Sequence, residues 1–156
     1  MLSDPQPRVL CVDDDEDARE MLSELLNFAL IETRAVGTAA EALSLLQAEH
    51  FDLYLLDAWL PDLDGVELCR RVRLLDPHTP VLFYSGAAYD SDKKRAIDAG
   101  ANAYVTKPDV DDLLGRVTEL VSGQVRRRLN NHLGPIVNVP WTICSISPEK
   151  SDNWLV

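Results

Sequence analysis

Five short apolar runs, each of four to seven residues, alternate along this chain with longer segments whose apolar residues recur at three- and four-residue spacing. The runs are RVLCV at 8–12, TRAV at 33–36, FDLYLLD at 51–57, PVLFYS at 80–85 and AYVT at 103–106. Runs this short and this apolar read as strands covered on both faces, and the helical segments between them are the cover. A strand that reaches the next through a helix pairs in parallel, and the right-handed crossover places helices on both faces. The pattern predicts an α/β fold: a doubly wound, five-stranded parallel sheet with five helices. At 156 residues and 46% hydrophobic, the chain has apolar material for one core in a domain of ordinary size.

Local signals set the helix ends. In the first helical segment Ala18, Met21, Leu22, Leu25, Leu26 and Ala29 form one stripe, flanked by Glu20 and Glu24. The second opens on TAAE at 38–41, where Thr38 caps and Glu41 reaches back, a capping box leading into Ala42, Leu43 and Leu46. A third follows Gly65, with Val66, Cys69 and Val72 on one side and Arg70, Arg71 and Arg73 largely on the other, and ends before Pro77. A fourth, in SDKKRAIDAGA at 91–101, ends at Gly100. The fifth begins after Pro108, with Asp109, Asp111 and Asp112 near its positive end and Arg126, Arg127 and Arg128 near its negative end.

Charge narrows the partners. Fifteen basic residues against 26 acidic ones leave a formal charge of -11, which disfavours direct nucleic-acid binding and attachment to anionic lipid. Proteins and cations are the expected partners. Cys11, Cys69 and Cys144 are odd in number, far apart and without the close pairs of a structural zinc site, so they read as free thiols in a reducing compartment. No apolar run is long enough to cross a membrane, and MLSDPQPR lacks the basic-then-apolar order of a secretory signal. The expected location is the cytoplasm, with no membrane insertion.

In doubly wound sheets the functional crevice lies at the carboxyl ends of the strands. Four of the five runs end in chemically active side chains: Asp13 and Asp14 after the first, Asp57 at the third, Ser85 at the fourth and Lys107 after the fifth. Three carboxylates packed together repel one another, and at least one pKa rises unless a cation neutralises them. A hard divalent ion, Mg²⁺ above all, suits such an oxygen set, and Mg²⁺ on one or two carboxylates suits phosphoryl transfer. An aspartate can then serve as nucleophile and form an acyl phosphate, with Lys107 and the ion sharing the transferred charge and Ser85 donating to the product. The segment LPDLDG at 60–65 turns the chain away after Asp57 and leaves the carboxylate reachable.

These residues resemble the receiver domain of bacterial two-component response regulators. The resemblance covers about residues 8–122. It rests on Asp13 and Asp14 in CVDDDEDAR, Asp57 in LLDAWLPDLDG, Ser85 in LFYSGAA, and Tyr104, Lys107 and Pro108 in AGANAYVTKP. It implies a flavodoxin-like sheet of order 2-1-3-4-5 and a chemotaxis-regulator-like, stand-alone phosphoprotein. Asp57 is then the phosphoacceptor, served by a histidine kinase or phosphotransfer protein. Asp14 and Asp57 bind Mg²⁺ by side chains, Trp59 by its backbone carbonyl and Asp13 through water; Lys107 contacts the phosphoryl group. Ser85 and Tyr104 match the switch pair, and Pro108 the proline that commonly follows a cis bond in this family. Output is a phosphorylation-dependent contact with a downstream protein through helix 4, strand 5 and helix 5, where a dimer is also possible. No independent small-molecule substrate is implied, so the chain is expected not to be an enzyme.

Plainer readings apply to several neighbours. Asp15, Glu16 and Asp17 suit a helix N-terminus without any ligand role, and the arginines at 126–128 read as a solvated helix end. His50, His78 and His132 are scattered and read as solvated. Trp59 places an indole beside the acceptor, and Ala87, two past Ser85, offers nothing to orient water. An aspartate-nucleophile phosphohydrolase would need a second acid at position 59, where this chain has Trp59. The domain is expected to span 1–123 and to be followed at 124–156 by an extension of helix 5 and an irregular tail. Gly123, Gly134, Pro135, Pro140 and Pro148 break regular structure there, leaving PIVNV and WTICSI, and Trp141 and Trp154 offer a tail–partner contact. A phosphorelay intermediate, or a receiver cut from a larger regulator or hybrid kinase, are the alternatives within signalling.

Overall fold

A computed structural model describes residues 6–133. Its elements run β1 (Arg8–Val12), α1 (Glu16–Phe28), β2 (Glu32–Val36), α2 (Ala39–Ala48), β3 (Leu53–Leu56), α3 (Gly65–Leu75), β4 (Val81–Ser85), α4 (Asp90–Asp98), β5 (Ala103–Thr106) and α5 (Val110–Leu133). All pairings are parallel, in the order β2-β1-β3-β4-β5. The flavodoxin-like doubly wound sheet predicted from the periodicity and the resemblance is the fold observed. The chain divides into two units, Met1–Val125 and Arg126–Val156; the described part of the second is the last stretch of α5. The tail segments PIVNV and WTICSI, with Trp141, Cys144 and Trp154, lie outside the described residues.

Strand alternation sorts the core into two layers. Leu10, Val12, Tyr54, Leu56, Val81 and Phe83 face α2, α3 and α4, meeting Ala42, Leu68, Cys69, Val72 and Ala96. Val9, Cys11, Leu53, Leu55, Leu82, Tyr84 and Val105 face α1 and α5, meeting Leu22, Leu26, Leu113, Val117 and Val121. Both layers are buried because the inner strands β1, β3 and β4 are covered on both sides, which is why their apolar runs read as near-continuous.

Several local expectations change. The third strand is shorter than FDLYLLD: Phe51 and Asp52 precede it and Asp57 follows it. In α1, Met21 is 40% exposed and Ala29 lies past the helix, so Leu22, Leu25 and Leu26 alone carry the packed stripe. Arg73 is not a solvated residue: its guanidinium donates to Gly100 O, Thr79 O and Asn102 Oδ1 and ties the end of α3 to the turn before β5. Gly100 ends α4 with φ 109°, and a Cβ there would come within 2.8 Å of Arg73 Cγ, so both backbone and packing require glycine. Gly123 does not break α5, which continues past Arg126–Arg128 to Leu133 and carries His132 in its last turn. Cys11 and Cys69 are buried free thiols, pushed up by burial to about 12 and about 11. Among the described residues, no helix is long and apolar enough to cross a membrane.

Candidate functional site: an acidic crevice at the carboxyl edge

Each functional side chain stands where a strand hands over to a loop. The β1 ladder continues one residue past the strand, with Asp13 N donating to Val36 O at 3.1 Å, and β3 does the same, with Asp57 N donating to Val12 O at 2.8 Å. Those bonds fix Asp13 and Asp57 side by side. Lys107 N donates to Ser85 O at 2.9 Å, which registers the loop after β5 against the end of β4. The Lys107–Pro108 peptide is cis.

Ligand oxygens of Asp13, Asp14 and Asp57 lie within 4.8 Å of one another. Asp13 is 2% and Asp57 8% exposed, while Asp14 opens to solvent. Lys107 Nζ donates to Asp13 Oδ2 at 2.7 Å and sits 3.6 Å from Asp57 Oδ2. Burial lifts the Asp57 carboxyl above its ordinary value, and the charge of Asp13 adds to this; Lys107, Ser85 and the Ala58 amide pull the other way and do not cancel it. Burial disfavours the Lys107 ammonium, yet the hydrogen bond to Asp13 and the charges of Asp57 and Asp13 outweigh it and hold its pKa up.

The chain after Asp57 is clamped at both ends. Gly65 N donates to Ala58 O at 2.9 Å, Trp59 bridges Asp64, and a Cβ at position 65 would fall on the carbonyl oxygen of Asp57. Glycine is obligatory there by close approach. Asp64 caps α3 through Val66 N at 2.8 Å and pairs with Arg95 of α4 at 3.0 Å. Asp62 accepts from Ala39 N at 2.9 Å and Ala40 N at 3.0 Å, so the loop after Asp57 also caps α2. Trp59, 66% exposed, lines a cleft with Ala58, Ala87, Arg95 and Tyr104.

Ser85 and Tyr104 meet at one residue. Ser85 Oγ accepts from Ala87 N at 3.3 Å, and the Tyr104 hydroxyl donates to Ala87 O at 2.6 Å while its ring stacks on Phe83. The structure therefore brings Asp13, Asp14, Asp57, Ser85 and Lys107 together at the carboxyl edge, with Trp59 at its mouth and Tyr104 behind Ala87. His50, His78 and His132 are exposed and lie outside this group. Sequence reasoning missed Asp62, Asp64, Arg95 and Arg19, whose partners are mostly backbone groups or residues distant in the chain. The Asp-Leu-Asp-Gly spacing before α3 signalled Asp64 as a cap, and nothing local signalled the rest.

The donor set fits a hard divalent cation. All candidate ligands are oxygens, they converge, and Asp57 Oδ1 is buried with no hydrogen-bond donor, an arrangement that a cation satisfies. Residues 9–118 match the family described as response regulator receiver domain. The chain belongs to the response regulator receiver domain family. This receiver domain is 34% identical over 115 residues to the response regulator MprA of Mycobacterium leprae, covering 73% of this chain and 50% of that protein. It is 39% identical over 121 residues to the response regulator protein PilR of Pseudomonas aeruginosa, covering 78% of this chain and 26% of that one. The chain thus spans about half the length of the first relative and about a quarter of the second. Among solved structures, a CheY-like receiver domain protein from Methanospirillum hungatei superposes with a TM-score of 0.74 at 32% identity, over 79% of this chain and 99% of its own. The chemotaxis protein CheY4 of Vibrio cholerae gives 0.70 at 28%, over 75% and 99%. Membership places the chain in two-component signalling.

Proposed function

We propose that this receiver accepts a phosphoryl group on Asp57 from a phosphohistidine of a histidine kinase or phosphotransfer protein. The carrying observation is the buried Asp57 carboxylate with Lys107 3.6 Å away and Asp13 and Asp14 converging on it. An Asp57 carboxylate oxygen attacks phosphorus, the P–N bond to the imidazole breaks as the P–O bond forms, and the departing imidazole takes its proton from solvent. Lys107 stays protonated and moves from pairing two carboxylates to sharing the phosphoryl charge. Ser85 donates its hydroxyl to a phosphoryl oxygen. Magnesium would be held by the Asp14 and Asp57 carboxylates and the Trp59 carbonyl, with Asp13 supporting it through water, and would supply neutralisation of the charge gathered on the transferring group.

Phosphorylation draws Ser85 toward the new group and loosens its bond from Ala87 N, and Tyr104, tied to Ala87 O, follows. The change biases a two-state surface over α4, β5 and α5 that a downstream protein reads, and that can also dimerise. The chain acts in the cytoplasm as a phosphoprotein and has no independent substrate. A second reading, the receiver portion of a longer regulator, is favoured by the half-length match to MprA. Incubation with Mg²⁺ and acetyl phosphate should raise the intact mass by one phosphoryl group, and Asp57→Asn should abolish the gain. An unchanged wild-type mass would end the proposal.

A further inference from the structure

Arg19 lies in the acidic opening of α1, and its guanidinium turns back onto the loop that carries Asp13 and Asp14. Nη1 donates to the carbonyl oxygens of Asp13 at 2.8 Å and Asp14 at 3.0 Å. On its other side lies Gly37, where a Cβ would come within 3.1 Å of Nη1 and 3.6 Å of Cζ. The same loop is held by Asp13 N on Val36 O at 3.1 Å and by Asp15 N on Asp13 Oδ1 at 3.0 Å.

We propose that Arg19 is a positioning residue for the cation site, and that Gly37 is small because the guanidinium packs against it. The inference rests on the magnesium reading above. Converging carboxylates repel, and Asp14, exposed, has room to swing outward. A cation paired directly with those carboxylates would compete with the metal for their oxygens. Arg19 avoids this by bonding to main-chain carbonyls: it fixes where both side chains start without occupying a ligand atom, as outer-shell partners of metal sites do.

Position and charge predict opposite signs. If Arg19 acted only as a positive charge, its removal would tighten cation binding, because the site would become more negative. If it positions the loop, its removal weakens binding, and Mg²⁺ suffers more than Ca²⁺, since Mg²⁺ demands near-octahedral geometry and Ca²⁺ tolerates variation.

The test is calorimetric titration of Mg²⁺ and of Ca²⁺ into the full unphosphorylated chain. Arg19→Gln should lose about tenfold in Mg²⁺ affinity and less for Ca²⁺. Arg19→Lys keeps the charge but not the planar group, and should resemble Arg19→Gln rather than wild type. Gly37→Ala leaves Arg19 in place and pushes a methyl against it, so it should weaken Mg²⁺ in the same direction. Combined with Arg19→Gln it should add little, because the group it displaces is gone. Melting in EDTA shows which variants are folded at the titration temperature; should Arg19→Gln fail that check, the Lys and Ala variants decide. Mg²⁺ binding that is unchanged or tighter in the folded variants overturns the positioning role. A wild type that takes up no Mg²⁺ overturns the cation reading, and this inference with it.

Discussion

At the scale of single residues, Trp59 is the feature with a kinetic consequence. Two-thirds of it is exposed at 66%, and it lines the cleft beside Asp57 with Ala87 and Tyr104. We predict that this indole obstructs in-line attack by water on a phosphoryl group at Asp57, and Ala87 provides only a methyl where a polar side chain would orient that water. The phosphorylated state should therefore be long-lived. Trp59→Asn should speed phosphate loss roughly tenfold, equivalent to about 1.4 kcal/mol of barrier, measured as phosphate release after the donor is removed. No acceleration would count against the obstruction. Asp13, Asp14, Asp57, Ser85 and Lys107 were legible in the sequence because each sits at the end of a short apolar run, and parallel register carries those ends to one edge. Arg19 and Asp62 were not legible, because they act on carbonyls and amides whose positions exist only once β1, α1 and α2 have packed.

At the scale of elements, the start of α2 shows how a local signal was half right. Thr38 Oγ1 accepts from Glu41 N at 3.2 Å, as a capping box requires. The other free amides, Ala39 N and Ala40 N, are taken by Asp62 from the loop after Asp57, a partner 23 and 22 residues away. Thr38→Ala should cost about 1 kcal/mol of stability, read by denaturant unfolding. Asp62 adds a pH signature. Its pKa is lowered from 3.8 by the amides of Ala39 and Ala40, so its stabilisation is complete above the unfolded value and disappears as pH falls through the lower folded value. The Tm gap between wild type and Asp62→Ala should be full at neutral pH and close as pH falls below the ordinary carboxylate range. A gap that persists at the most acid pH where both chains fold would mean that the loss comes from elsewhere. The extension of α5 past residue 123 was expected, but the break at Gly123 was not found: Gly123 costs about 1 kcal/mol relative to Ala, which flanking helical turns absorb.

For the whole molecule, the acidic crevice sets stability against function. Without metal, Asp57 is buried, its Oδ1 has no donor, and burial holds its pKa above the ordinary value. A raised folded-state pKa means a stabilisation that is complete below the unfolded value and lost as pH rises through the folded one, so near neutrality the ionised carboxylate is a liability. Asp57→Asn removes that charge, and Lys107 keeps Asp13 at 2.7 Å. In EDTA the variant should be more stable than wild type near neutral pH, because the buried site no longer holds an ionised carboxylate. If the crevice holds magnesium as proposed, the ion should reverse the order. A ligand that binds only the folded state stabilises by RT ln(1 + [L]/Kd), about 2.7 kcal/mol at a hundredfold excess over Kd, and the variant would lack one of the proposed ligands that give this increment. Plotted as Tm against Mg²⁺ concentration, the two chains should therefore cross, Asp57→Asn above at low metal and wild type above at high. Curves that never meet, with wild type higher throughout, would mean that Asp57 is already satisfied in the metal-free fold; curves that rise in parallel would mean that the ion binds without this carboxylate.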